Sequence, residues 1–188
     1  MKNWNLFTYA IKHDTGYAPN PFHGICTLNT CKPQIRREAD IGDWIVGLKK
    51  DRVIFIMEVT NKILMSDYWK LCQTHYPKKI PEQNGMSHDP TLLCGDCQYD
   101  FSGHKPKLLH GFHDQANVKT DLSGKNTLLS ENFIYLGSKE KRLPKSLQPI
   151  AKYSNGNWIG QARKSKANAP YRDKWVYPNF PKEFRLIN

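Results

Sequence analysis

What the sequence lacks narrows the reading first. No apolar run approaches the about 18 residues needed to cross a bilayer. The stretch Met1–His13 has no uninterrupted apolar core with a cleavage site, so it reads as a cytoplasmic chain with no secretion signal and no membrane partner. Acidic residues are scarce: 17 Asp and Glu stand against 28 Lys and Arg, a formal charge of +11. Such a field attracts polyanions, nucleic acid first among them. Five cysteines make an odd set, and without a secretion signal they read as reduced thiols or metal ligands rather than a disulfide framework. Internal repeats and low-complexity runs are missing, which excludes solenoids. So are a nucleophile motif, a Gly-rich phosphate loop and the paired motifs of zinc deaminases, which leaves catalytic chemistry without a clear template.

What is present fits an ordinary folded domain. The chain has 188 residues, 39% hydrophobic and 12% aromatic, enough for one core. A first strand is expected over Trp4–Lys12, followed by a long polar loop, Asp14–Lys32, rich in turn residues. Pro33 opens a short helical turn. Gly42-Asp43 turns into a strand over Asp43–Leu48, and Arg52–Ile63 reads as one long central strand. Ser66 is expected to cap a helix running to Tyr76. The stretch Lys78–Pro106 is longer than a structureless loop usually runs, so something must hold it. Asn126–Ser138 reads as strand, turn, strand, and Leu143–Tyr153 as a short helix or turn. From about residue 155 a basic extension begins.

Two short pairs suggest what holds the long loop. Cys72 and His75, then Cys94 and Cys97, form C-x2-H and C-x2-C steps separated by eighteen residues. Each step can turn two ligands toward one tetrahedral ion, so a structural zinc is the candidate cofactor. Against it, Cys72 and His75 lie on a predicted helix, where i and i+3 share a face but are a less usual ligand pair. Acid–base chemistry has its candidates in His113, Asp114 and Asp121, where an imidazole stands near carboxylates in the sequence. In the tail, Arg163, Lys164 and Lys166 lie among aromatics, a mixture suited to a nucleic-acid backbone.

Residues 9–48, "YAIKHDTGYAPNPFHGICTLNTCKPQIRREADIGDWIVGL", with "MEVTNKILMSDYWK" (57–70) and "DLSGKNTLLSENFIYLGSKEKRLP" (121–144), resemble the second nucleotide modification associated domain family. The loop positions carrying this resemblance run from Asp14 through Cys31, Lys32 and Pro33 to Arg36. "GDCQY" (95–99) matches a Gly-Asp-x-x-Tyr stretch that the family carries without cysteines, so a zinc site there would belong to a subset. A fainter similarity ties "ADIGDWIVGL…RVIFIMEV" to the PUA-like superfamily of EVE, ASCH and YTH domains. The resemblance implies a single α+β domain over residues 1–188, built on a PUA-like mixed β-barrel with peripheral short helices. It also implies a prokaryotic or phage setting of DNA modification or defence, with a nucleic acid or nucleotide, DNA before RNA, as partner.

Read on the residues, the polar loop then becomes a pocket for a modified base. Asn20 offers a donor and an acceptor to a base edge, and Tyr17 and Phe22 offer faces for stacking. Lys32, Arg36 and Arg37 can meet phosphates, while Asp43 and Trp44 stand at the strand entrance as a further wall. The expectation is a binding module. Its rival is an enzyme of nucleotide or base modification using His113, Asp114 and Asp121 near the same pocket.

Overall fold

The structure is a computed structural model that describes residues 5–82 and 88–143, together with the backbone of 153–154 and 157–158. The β-formers supply strands β1 (Leu6–Ala10), β2 (Cys26–Leu28), β3 (Trp44–Lys49), β4 (Arg52–Glu58) and β5 (Asn61–Leu64). Further along come β6 (Tyr99–Asp100), β7 (Lys107–Leu108), β8 (Asn126–Ser130), β9 (Phe133–Tyr135) and β10 (Lys141–Arg142), then the pair β11 (Tyr153–Ser154) and β12 (Asn157–Trp158). Among the described residues four α-helices, α1 (Pro33–Glu38), α2 (Met65–Thr74), α3 (Pro90–Leu93) and α4 (Val118–Leu122), are all short. The fold is mixed α+β with several open sheets, and among the described residues no sheet closes into a barrel. No helix among them is long and apolar enough to cross a membrane. The expected helix or turn at 143–153 falls largely outside the described residues, as do Arg163, Lys164 and Lys166.

The chain divides into two compact units. The first holds Met1–Asp14, Ala39–Val59 and Asn132–Asn188. Its sheet is centred on β4, which pairs antiparallel with β3 on one side and with β9 and β10 on the other. β1 runs parallel to β3, with Leu6 opposite Trp44. Every residue from Val53 to Met57 is buried, as the continuous apolar run requires of a strand covered on both faces. Asp43 is spent on architecture: its carboxylate accepts from the Asn5 backbone N–H at 2.7 Å, the Asn5 side chain at 3.0 Å and the Asp40 N–H at 2.9 Å. Trp44, 4% exposed, is core of this unit.

The second unit holds Thr15–Glu38 and Thr60–Glu131. Here β8 lies between β2 and β5, all antiparallel, and α2 packs its buried Met65, Tyr68 and Cys72 inward. The spacing of three and four places these residues on one helical face. A cluster of Ile25, Tyr68, Cys72, Cys97 and Leu129 forms its core.

Three expectations need correction. The single strand Arg52–Ile63 is two strands in different sheets, broken where the Val59 N–H donates to Asp43 O while the next N–H, of Thr60, donates to Leu129 O. β8 and β9 are likewise not each other's partners; they pair with β5 and β4. Ser66 does not cap α2, which begins at Met65 after Leu64 with no side-chain cap.

The long loop is held by a buried ammonium rather than by a converged metal quartet. Lys79, 0% exposed, donates from Nζ to Asn20 O (2.9 Å), Asn20 Oδ1 (2.7 Å), Ile25 O (2.7 Å) and Thr27 Oγ1 (3.1 Å). Thr27 Oγ1 and Tyr68 OH donate in turn to Asp96, each at 2.7 Å, and Asn29 Nδ2 donates to the Asp96 carbonyl. Burial pushes Lys79 down and Asp96 up, and each opposes the other's shift through its charge. Gly95 closes the loop, because a Cβ there would stand 2.5 Å from Pro81 N and 2.6 Å from Lys79 O.

Lys79→Met is therefore expected to destabilise the protein by about 3–5 kcal/mol, since it removes four buried hydrogen bonds, leaves Ile25 O without its donor and removes the charge facing Asp96. Urea unfolding measures it. A loss under about 1 kcal/mol would mean that the ammonium does not hold this loop.

Candidate active site

The strand β2 ends at Leu28, and three residues later the chain turns sharply into α1. Cys31 and Lys32 take the turn with φ of 54° and 36°, left-handed values that cost a non-glycine residue energy and cluster at functional sites. A side chain on so tight a strand-to-helix turn is presented outward instead of into a layer. Cys31 is the cysteine of partial exposure; Cys26, Cys72, Cys94 and Cys97 are buried.

Across from it stands His113. Its Nε2 lies 3.2 Å from Cys31 Sγ, and its Nδ1 lies 2.5 Å from Asp121 Oδ2. Asp121, 1% exposed, also accepts from the Tyr99 hydroxyl at 2.9 Å and, through Oδ1, from the Cys31 backbone N–H at 2.8 Å. Sulfur, imidazole and carboxylate thus form a relay in which each ring nitrogen has a separate partner. That is the arrangement of a nucleophile, a base and the group that orients the base.

The electrostatics agree with this geometry. Burial works against charge on His113, but the hydrogen bonds to Asp121 and Cys31 outweigh it and hold its pKa up to about 9. Burial likewise raises Asp121, and His113 with the Cys31 N–H outweighs it, so the carboxyl ends below its ordinary value. Burial and Asp121 push the Tyr99 hydroxyl up, which keeps it a donor. At neutral pH the histidine is an imidazolium, the partner a reactive thiolate needs.

A second layer of contacts fixes the three groups. Gln98, fully buried, accepts at Oε1 from the His113 N–H (3.1 Å) and donates from Nε2 to the His113 carbonyl (2.6 Å) and the Leu109 carbonyl (3.1 Å). Tyr17 donates its hydroxyl to Gln98 and sets its ring edge-on to His113 at 4.9 Å. Arg36, fully buried, donates from Nε to the Cys31 carbonyl at 2.8 Å, from another nitrogen to the Asp121 carbonyl, and to Asn126 O at 2.8 Å. Burial lowers it to about 10, which leaves it charged. Gly124 makes room for it: a Cβ there would lie 2.2 Å from Arg36 Cζ.

The residues expected from sequence fall out as follows. His113 and Asp121 meet, while Asp114 is an exposed turn residue that accepts from the Ala116 N–H. Asn20, 0% exposed, has both ends of its amide engaged, donating to Cys94 O and accepting from Lys79. Arg36 is spent inside, and Arg37 is exposed with one contact to Ser123 O. Phe22 packs its ring over Gly16, where a Cβ would stand 2.5 Å away. Lys32 is half-buried beside Cys31.

The proposed zinc quartet does not converge. Cys94 Sγ donates to Thr15 O, and exposed His75 pairs with Thr74 Oγ1 at 2.7 Å. Cys72 and Cys97 are buried in the core, where burial pushes the Cys97 thiol up with Cys72 beside it. Among the described residues, the metal-ligating atoms that do gather, within 4.8 Å of one another, belong to Cys31, His113 and Asp121. Sequence reasoning did not join Cys31 to His113, nor did it give Lys79, Asp96, Gln98 and Tyr99 the places they hold here. A signal existed for three of them, in "GDCQY".

The family model for nucleotide modification associated domain 2 matches residues 3–184. No curated protein and no solved structure matches the chain.

The ion pair predicts a pH profile. The folded pKa of His113 stands above its unfolded value near 6.5, so its stabilisation is complete below about pH 6.5 and is lost as pH rises through about 9. Asp121 is shifted the other way; its share is present above about pH 3.9 and is lost as pH falls through its lower folded value. The His113 ring should titrate near 9 by NMR, and Asp121→Asn should bring it down by at least about one unit. Titration near 6.5 in both proteins would refute the pairing.

Proposed function

Since the chain belongs to the nucleotide modification associated domain 2 family, we propose that it is an enzyme of nucleotide or nucleic-acid base modification with Cys31 as nucleophile. The observation that carries this reading is the Cys31–His113–Asp121 relay. It favours the enzyme over the binding module, because the loop residues assigned to base reading are engaged within the protein and the relay is not needed for binding alone. Nucleic acid or nucleotide is the partner class, and the basic charge supports a phosphate-bearing ligand.

The chemistry follows from the positions. Cys31 Sγ forms a bond to an electrophilic carbon of the substrate, and the electron pair displaced from that carbon goes to the leaving atom. His113 Nε2 gives its proton to that atom. An incoming nucleophile such as water then loses its proton to the neutral imidazole and attacks the same carbon, and the C–S bond breaks. Asp121 keeps the ring in place and stabilises its charge throughout.

A second reading rests on the closeness of the same three ligand atoms: a single metal ion held by Cys31, His113 and Asp121. The relay is preferred because Asp121 Oδ2 is already taken by His113 and Tyr99.

Iodoacetamide labelling separates the readings. The nucleophile reading expects Cys31 to react at pH 7 faster than free cysteine despite its partial burial, and His113→Gln to slow it about tenfold or more. Incubation with nucleotides and oligonucleotides should leave a mass adduct on Cys31, lost in Cys31→Ala. About one equivalent of tightly bound zinc that protects Cys31 from labelling would favour the metal, and labelling indifferent to His113 would sink the nucleophile.

A further inference from the structure

Gly111 and Phe112, the two residues before His113, line a cleft of about 410 Å³ together with Glu82, Leu93 and His110. That is room for a nucleobase-sized ligand. Its wall has two features that a surface binding nothing would not need. Phe112 is 49% exposed and Leu93 is 37% exposed, so two large apolar side chains face the opening. Yet Phe112 is held firmly. Its ring stacks on Tyr17 at 5.3 Å with 27° between planes. The next residue is clamped at both backbone groups by Gln98, and Gly111 lies so close to Gln98 that a Cβ would stand 2.7 Å from its side chain. A rigid aromatic ring half open to solvent is a stacking platform. The second feature is Glu82, which lines the same cleft and has a buried carboxyl oxygen, Oε2, with no hydrogen-bond partner among the described residues. A half-buried carboxyl group beside an apolar platform suits a ligand that brings N–H donors.

We infer that this cleft is a nucleobase subsite in which the ring lies on Phe112 and its edge donates to Glu82, and that the base it favours is guanine. The guanine edge presents a ring N–H and an amino group side by side, both donors. Adenine and cytosine put a ring acceptor beside their amino group, and uracil and thymine flank one donor with two carbonyls, so each would set an acceptor against a carboxyl oxygen. Leu93, at the same opening, supplies apolar contact to the bound ring. The inference rests on the proposed action on nucleotides and adds which base is held beside His113.

The test uses the full-length Cys31→Ser protein, which cannot form the thioadduct, titrated calorimetrically with GMP, AMP, CMP and UMP. GMP should bind about tenfold or more tightly than the others. Phe112→Leu and Phe112→Ala should weaken every nucleotide about tenfold or more, the scale of one lost stacking contact. Glu82→Gln should erase the preference for GMP while leaving AMP binding within about twofold. Thermal melts check that each variant is folded. A guanine-centred trinucleotide binding more tightly than GMP would identify a nucleic-acid strand as the source, and equal affinity would identify the free nucleotide. Equal binding of all four nucleotides, no binding of any, or indifference to both Glu82→Gln and Phe112→Leu would overturn the subsite. The two readings fail separately. Base-selective binding with no adduct on Cys31 keeps the subsite and removes the thiol chemistry, whereas adduct formation unchanged in the Glu82 and Phe112 variants does the reverse.

Discussion

The carboxylate of Asp121 is the point on which the site depends. One buried oxygen takes the imidazole of His113 and the hydroxyl of Tyr99; the other takes the backbone N–H of Cys31. A carboxylate with three donors stays ionised in an interior that would otherwise protonate it, and its position is over-determined. Because the same group holds both the histidine and the backbone of the cysteine, the sulfur and the ring are set in one frame. Cys31 can therefore keep a left-handed backbone that the chain would abandon if left to itself.

Arg36 ties this frame to the rest of its unit. Its planar guanidinium reaches the carbonyls of Cys31, Asp121 and Asn126 together, a fan of donors that a lysine could not reproduce. An arginine placed on a helix of six residues, with a buried position at Ile35 beside it, looks from sequence like half of a solvated basic pair. The fold distinguishes the neighbours: Arg37 is outside and Arg36 is inside. Gly124 supplies the space, and its lack of a Cβ is as necessary to the site as the charge.

The parts of the fold written in local pattern were legible in the sequence: the apolar strands at Leu6–Ala10 and Val53–Met57, the Gly42-Asp43 turn and the helix after Leu64. What the sequence hid was where partners change. Nothing local in "EVTNK" shows that Val59 and Thr60 donate to different sheets. The site divides the same way. His113 and Asp121 were visible as an imidazole and a carboxylate eight residues apart, and α4 returns one to the other. Cys31 stands far away in sequence, and only the tertiary fold puts its sulfur at Nε2. The cysteine pairs pointed to zinc through spacing alone, but spacing does not record which side chains the fold brings together. Three of those thiols sit in the interior, where two fill the core and one bonds a carbonyl.

The site's enclosure limits what the proposed enzyme can act upon. The His113 side chain is 14% exposed and Asp121 1%, so the reacting edge opens only narrowly to solvent. A base stacked and paired inside a duplex cannot bring a ring carbon to Cys31 without leaving the helix, and extruding it costs a few kcal/mol. The charge of +11 concentrates phosphates near the protein but cannot lift a base from its stack. An exposed aromatic such as Phe112, fixed one residue before the acid–base group, can offset part of that cost by replacing a lost stacking partner. Free nucleotides, single strands and flipped bases all meet this requirement, and a closed duplex does not. On the proposed chemistry, then, the narrow opening excludes the paired base, and the attraction of the net positive charge determines only how often a permitted one arrives.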